Sequence, residues 1–386
     1  MKKVKLGDVC DVFAGQGAPQ GNEKYCHYDS GIPFIKAGDL GDLMSGKSER
    51  ELQCVDEAVA KECKLKLYQA GSVLFAKSGM SCMKGYVYCT KEPCYVVSHL
   101  AIITPKKVEK EYLKHYFQYY KPNTLVKDSA YPSISLSDIA NMEILLPSIE
   151  EQKEIADRLD KVVGLIEKRK EQLAKLDQLV KSRFIEMFGD ISQADKNSFV
   201  SMDSFCTISS SKRVHVADYV NSGIPFYRSK EIIELGENKN PSVELFISRE
   251  HYEAIKQKNY IPQKNDILMS AVGTIGKMWI VDGIREFYYK DGNILCIHSD
   301  STNAIYLKFA LSMLIDDFKD GNVGGSAYSA LTIVKLNKML VPLPPISLQN
   351  SFAEFVKQIE KSKFDIQQSI DKLETLKKSL MQQYFG

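Results

Sequence analysis

The chain has 386 residues, 44% hydrophobic and 26% charged, with 51 Lys and Arg set against 49 Asp and Glu. That length accommodates two or three domains with ordinary cores, and the balanced charge excludes a strongly basic or acidic protein. No apolar run approaches the ~20 residues of a bilayer span, and "MKKVKLGDVC" lacks the apolar centre of a signal peptide, so a cytoplasmic location is expected.

Residues 1–147 are rich in short β-like runs such as "SVLFA" and "YVVSHLAIIT", punctuated by Gly, Pro, Asn and Asp. Within them "KEYLKHYFQYY" (110–120) repeats apolar and aromatic residues at helical spacing, and that stripe reads as core rather than as a ligand platform. Residues 148–190 have a different character. Between Ile149 and Met187 there is no Pro and one Gly, and Ile155, Leu159, Val162, Ile166, Leu173, Leu176, Val180 and Met187 form a heptad seam, with Arg169 and Arg183 at its other positions. Ser148 and Glu151 supply an S-x-x-E capping box to start this helix.

Residues 191–346 return to short strands, "DILMS" and "KMWIV", with a helical stretch "AIYLKFALSML" (304–314). Residues 347–386 then form a second seam of Phe352, Val356, Ile359, Ile366, Ile370, Leu373, Leu380 and Tyr384, interrupted by Lys363 and Lys377. The expected fold class is therefore α+β: two mixed α/β domains, each followed by a long helix, the two helices paired as an antiparallel coiled coil about 60 Å long. Charged positions in one seam align with apolar ones in the other. That pattern favours pairing of unlike helices, and Arg and Lys stems snorkelling at the seam explain it equally well.

The two halves are copies of one plan. "LLPSIEEQ" (145–152) aligns with "PLPPISLQ" (342–349), pairing Pro147 with Pro344 and Gln152 with Gln349, and "MFG" (187–189) aligns with "YFG" (384–386). Upstream, "SGIPFIKAGDL" (30–40) matches "SGIPFYRSKEI" (222–232), and "GSVLFAKSG" (71–79) matches "NDILMSAVG" (265–273). Two related domains on an antiparallel helix pair form a rod with a pseudo-two-fold axis, which would hold two readers at a fixed separation.

Nine cysteines, seven of them before residue 95, include no CxxC pair, so reduced thiols are expected rather than a disulfide framework. Cys82, Cys89, Cys94 and His99 offer zinc-type ligands, but alternation along strands accounts for them better than a metal site does. No N-P-P-[YF] or D-P-P-Y methyltransferase motif, phosphate loop or HExxH occurs. "GTIGK" (273–277) is too short for a phosphate loop and is followed by Met278. No catalytic residue is assigned.

The order of these motifs, duplicated in one chain, resembles the specificity subunit of type I restriction-modification systems. "NDILMSAVGTIGKMWIV" (265–281) and "GGSAYSALTIVKLNKMLVPLPP" (324–345) carry the likeness most closely, and "GSVLFAKSGMSCMKGYVY" (71–88) carries it more loosely. The resemblance implies target-recognition domains at 1–147 and 191–346 and long helices at 148–190 and 347–386. It implies no catalysis by this chain and no cofactor on it. Its expected partners are double-stranded DNA with a bipartite target and two adenine-N6 methyltransferase subunits carrying S-adenosylmethionine; whether motor-nuclease subunits join is left open. The rival reading is a coiled-coil scaffold spacing two protein-binding domains.

Base readout in the major groove needs Arg or Lys for guanine and Asn or Gln for adenine, presented on loops. The candidates in the first domain are Lys36, Lys77, Ser78 and Lys84, with Lys127, Ser129 and Tyr131 near the helix entry. In the second they are Lys212, Arg213, Arg228, Lys230, Thr274 and Lys277, with Ser326 and Tyr328. Tyr131 and Tyr328 are expected to pack each domain onto its helix. Basic and acidic residues number 19 and 17 in 1–147, and 17 and 17 in 191–347, so the isolated chain should bind DNA weakly with a shallow salt slope.

Overall fold

The computed structural model describes residues 2–191, 199–258, 261–320 and 331–386. By its internal contacts the chain divides into two compact units, residues 1–171 with 367–386 and residues 172–366. Each unit contains one strand-rich domain and segments of both long helices. Among the described residues, no helix is long and apolar enough to cross a membrane.

In the first unit, the run Val73–Ala76 is fully buried and lies between Leu100–Pro105 and Tyr88–Cys89. With Cys10–Ala14 at the other edge these make a four-stranded antiparallel sheet. A second small sheet pairs Ile32–Ile35 antiparallel with Cys54–Val55 and parallel with Tyr95–Val96. The second unit repeats this plan. Ile267–Ser270 lies between Ile294–His298 and Met278–Ile280 with Thr207–Ser210 outermost, and Ile224–Tyr227 pairs antiparallel with Phe246–Ile247 and parallel with Tyr288–Tyr289.

The expected domain helices form at Lys110–Tyr119 and Ala304–Asp320. Their aromatic stripes are core: Tyr112, Phe117 and Tyr306 are fully buried. The equivalent tyrosines tie these helices to the segment that precedes each long helix, Tyr112 Oη donating to the Leu145 carbonyl (2.8 Å) and Tyr306 Oη to that of Pro342 (2.8 Å).

The long helices span Ile149–Phe188 and Ile346–Phe385. The Ser148–Glu151 capping box is formed reciprocally, with bonds of 3.2 and 2.9 Å. Cross-helix contacts run antiparallel in each unit. Arg158 meets Tyr384 and Lys170 meets Glu374 in the first; Asp177 meets Lys363 and Arg183 lies over the Phe355 ring in the second. Along the seams Ile155, Leu159, Val162, Ile166, Val180, Phe352, Val356 and Ile370 are buried, whereas Leu173, Leu176, Ile359, Ile366, Leu373 and Leu380 are half-buried. Lys363 ends on the carboxylates of Asp177 (2.9 Å) and Glu360 (2.8 Å), so its stem lies in the seam while its charge reaches the rim.

The repeated Gln is the joint between domain and helix. Gln152 Oε1 accepts from the Glu109 backbone N–H (2.7 Å) at the start of Lys110–Tyr119, and its Nε2 donates to the Pro147 carbonyl (3.0 Å). Gln349 does the same with the Asn303 N–H (2.9 Å) and the Pro344 carbonyl (2.8 Å). Both side chains are buried. Removing one strands a backbone donor and acceptor in a dry site, and each costs about 1–3 kcal/mol when unsatisfied. Gln152→Ala should therefore destabilise the first unit, and Gln349→Ala the second, by about 2–3 kcal/mol, read as loss of hydrogen-exchange protection confined to the unit altered.

Histidines give the two units opposite pH responses. His115 is buried against Asp160 (2.9 Å) and Gln118 (3.2 Å), and burial followed by the neighbouring Lys114 charge holds its pKa below the usual 6.5. A depressed histidine contributes stability that is present above about 6.5 and lost as pH falls below it. His298, hydrogen-bonded to Asp266 (2.6 Å), has a raised pKa, chiefly from that bond, so its contribution is present below about 6.5 and lost as pH rises through the raised value. Hydrogen exchange between pH 5.5 and 8 should show the first unit tightening and the second loosening as pH rises, with His298→Gln removing the second trend.

Candidate nucleic-acid interface

In the first unit the candidate residues occupy two places. Lys77 and Ser78 follow the buried strand Val73–Ala76, and their loop is zipped to 132–134: Ile134 N–H donates to the Lys77 carbonyl (2.8 Å) and Gly79 N–H to that of Pro132 (3.0 Å). Ser78 Oγ bonds His99 Nδ1 (2.8 Å). Among the described residues the Lys77 ammonium has no ion pair, and Lys84 lies near the Tyr86 ring at 5.8 Å. Lys127 pairs with Asp138 (2.9 Å), and Ser129 is exposed. Tyr131 corrects an expectation: it is 82% exposed and does not pack the domain onto its helix. The pinned loop leaves its ring in solvent.

Lys36 follows the strand Ile32–Ile35. Its Nζ bonds Gln53 Oε1 (2.6 Å) and lies 4.3 Å from the centre of the Tyr25 ring, while its backbone N–H donates to Asp39 (2.7 Å). Arg228 is its counterpart in the second unit, with its backbone N–H on Glu231 (2.7 Å). Here the cation is compensated internally: Nη2 reaches Glu231 and Glu244, both at 2.9 Å, and Lys230 shares Glu244 at 2.9 Å. These carboxylates push the Arg228 pKa further up. The network braces the domain and leaves these two cations little free charge.

Lys212 and Arg213 are exposed on the loop after Thr207–Ser210. The Lys212 N–H donates to Tyr288 Oη (2.6 Å), and Arg213 meets Asp291 at 3.8 Å. The "GTIGK" loop turns through Gly273 and Gly276 at φ +75° and +82°, and a Cβ at Gly276 would come within 2.7 Å of Ile315. It exposes Thr274 and Lys277, and Lys277 lines a cavity of about 240 Å³ with Glu237 and Lys308. Ser326 and Tyr328 lie outside the described residues. Among the described residues, no cluster of His, Cys, Asp and Glu could hold a metal ion. Cys82 and Cys94 are buried free thiols, Cys89 is half-buried, and His99 serves Ser78.

Both halves of the sequence match the type I restriction modification DNA specificity domain, over residues 1–178 and 195–377. The chain belongs to this family. It is a non-catalytic specificity subunit of a type I restriction-modification system. It is similar to a putative type I restriction enzyme specificity subunit of Haemophilus influenzae, 24% identical over 85% of this chain and 80% of that one. It also resembles the MjaIX specificity subunit of Methanocaldococcus jannaschii, 32% identical over 37% and 33% of the two chains. In fold it matches the S subunit of M. genitalium at a TM-score of 0.59, with 13% identity over 100% and 96% of the chains. A chain from a type I R-M assembly matches equally at 0.59, with 18% identity over 100% and 97%.

Gln152 and Gln349 were not among the candidate residues, yet they fix the joint between each domain and its long helix. The repeated P-x4-Q spacing is the signal in the sequence that finds them.

Proposed function

We propose that this specificity subunit reads a bipartite DNA target. One half-site is read by residues 1–147 and the other by 191–346, with the helices 148–190 and 347–386 holding two adenine-N6 methyltransferase subunits over them. In this reading S-adenosylmethionine is carried by those partners, the assembly is cytoplasmic, and motor-nuclease subunits can complete a restriction complex. The observation that supports it most is the duplication of one domain-to-helix joint, down to the same two hydrogen bonds at Gln152 and Gln349. A duplicated rigid joint suits the presentation of two different readers in matched orientation.

Direct readout falls to Lys77, Lys84 and Lys277, which form no ion pair among the described residues, with Ser78, Thr274 and the exposed Tyr131 as further contacts, while Arg228 and Lys230 brace the second domain. Lys36, Lys212 and Arg213 complete the set. Because both domains are near-neutral, phosphate affinity comes mostly from the partners.

The test is DNA binding by the purified chain, alone and with the adjacently encoded methyltransferase, across a salt series. Weak binding with a shallow slope alone, and tight sequence-selective binding with the partner, is expected. Tight selective binding by the chain alone contradicts the division of labour, and no sequence preference with an active partner contradicts the function.

A further inference from the structure

Two of the free cysteines face each other across a ladder. Cys26 and Cys54 form an isolated antiparallel bridge in which each N–H donates to the other's carbonyl, at 2.8 and 3.0 Å. Directly opposed residues carry their side chains on the same face of a pleated pair, and a pair that exchanges both bonds has its Cα atoms about 5.5 Å apart, inside the roughly 4.4–6.8 Å range of disulfides. The Cys26 sulfur lies beside Gly31, which adjoins Val55. A Cβ on Gly31 would come within 2.5 Å of that sulfur and 2.9 Å of the Val55 carbonyl oxygen, so the glycine makes room for it. The other cysteines in ladders face Pro105, Val73, Tyr68 and Ser209, so among the described residues this cysteine pairing stands alone.

We infer that Cys26 and Cys54 are a thiol–disulfide site, closed by a small disulfide oxidant and reopened by a dithiol. Cys26 is half-buried and lies between the short turns Asn22–Lys24 and Tyr28–Ser30, attached to the sheet at one bridge, so it is both reachable and free to approach. Cys54 is fully buried, and its thiol is pushed up to about 11 by burial and the nearby Cys26, which makes it the second sulfur to react. In the first step the Cys26 thiolate attacks RSSR, giving Cys26–S–SR and RS⁻. In the second, the Cys54 thiol gives up its proton, its thiolate attacks the Cys26 sulfur, and a second RS⁻ leaves. In sum, two protein thiols are oxidised and one RSSR is reduced to two RSH. Opposed pairs that exchange both backbone bonds hold their Cβ atoms farther apart than an unstrained disulfide does, so the bond is strained and easily reduced, as reversible redox sites in reducing compartments are.

The site is placed to act on Lys36. The two groups that cradle its ammonium, the Tyr25 ring and the Gln53 amide, immediately precede Cys26 and Cys54 in the chain. Closing the bond draws those two segments together. Any effect on DNA reading rests on the function proposed above, whereas the chemistry does not, and the test below measures no DNA.

The folded chain is titrated with oxidised glutathione, and its free thiols are counted by alkylation and located by non-reducing peptide mapping. The expected result is a loss of two thiols from the nine, a Cys26–Cys54 linked peptide, an unchanged circular dichroism spectrum, and full recovery with dithiothreitol. In Cys26→Ser the linked peptide is absent and Cys54 stays reduced, while Cys63→Ser behaves as the parent. A terminal glutathione adduct on Cys26 with Cys54 still alkylatable, a Cys26–Cys63 bond, or a bond formed only after the chain unfolds would each overturn the proposal.

Discussion

Replacing Phe385 with alanine should destabilise the first unit by about 3–5 kcal/mol, the usual cost of truncating a buried aromatic. Phe385 belongs to the last turn of the second long helix, yet it is buried in the core of residues 1–171. Its ring lies 5.1 Å from that of Tyr112, 6.1 Å from Tyr116 and 6.0 Å from Tyr119. The Tyr120 hydroxyl donates to its carbonyl (2.8 Å), and the Tyr119 hydroxyl to Gln382 (2.6 Å). The helix end thus completes the aromatic layer beneath Lys110–Tyr119. Hydrogen exchange should show protection lost across that helix and the strand Leu100–Pro105 while residues 199–258 keep theirs. A uniform loss, or none, would mean that the last turn is not part of this core. Phe188, in the second unit, is its counterpart, 4.8 Å from Tyr306 and 5.6 Å from Phe352.

Removing the charge of Arg228 is the second large effect. Glu231 is fully buried and relies on Arg228 and on the Arg228 backbone N–H. Arg228→Met strands that carboxylate, and because the arginine side chain is 35% exposed, the loss is that of a buried acceptor left short of a partner, about 1–3 kcal/mol. Arg228→Met with Glu231→Met should recover most of the loss, because replacing both partners with apolar groups is often close to neutral. Urea denaturation of the two variants measures the difference. If Arg228→Met left stability unchanged and instead altered the recognised half-site, Arg228 would be a reader rather than a brace.

Much of this organisation is legible in the sequence, because duplication shows which positions matter to one plan. The heptad seams, the Ser148 cap and the Pro and Gln spacing before each long helix are local patterns that survive folding unchanged. Chemistry that depends on neighbours brought together by loops is not legible in the same way. Lys36 and Arg228 align, yet one rests on a neutral amide and the other on two carboxylates, a difference made by Gln53 and Glu244, which lie 17 and 16 residues downstream. Tyr131 reads as a packing aromatic until the bonds pinning 132–134 to the Lys77 loop show that its ring points away from the core. The opposition of Cys26 and Cys54 depends on a single bridge between a turn and a short strand, which no periodicity announces.

In the function proposed above, this chain chooses where adenines are methylated. The direct measurement is a genome-wide map of N6-methyladenine in a host carrying this gene with its adjacent methyltransferase, compared with the same host lacking this gene alone. Methylation at one two-part motif, with a fixed gap and a modified adenine on each strand, present only when this chain is present, is the predicted result. Identical methylation in both hosts, with the methyltransferase active, would contradict it and favour a scaffold that merely spaces two protein-binding domains.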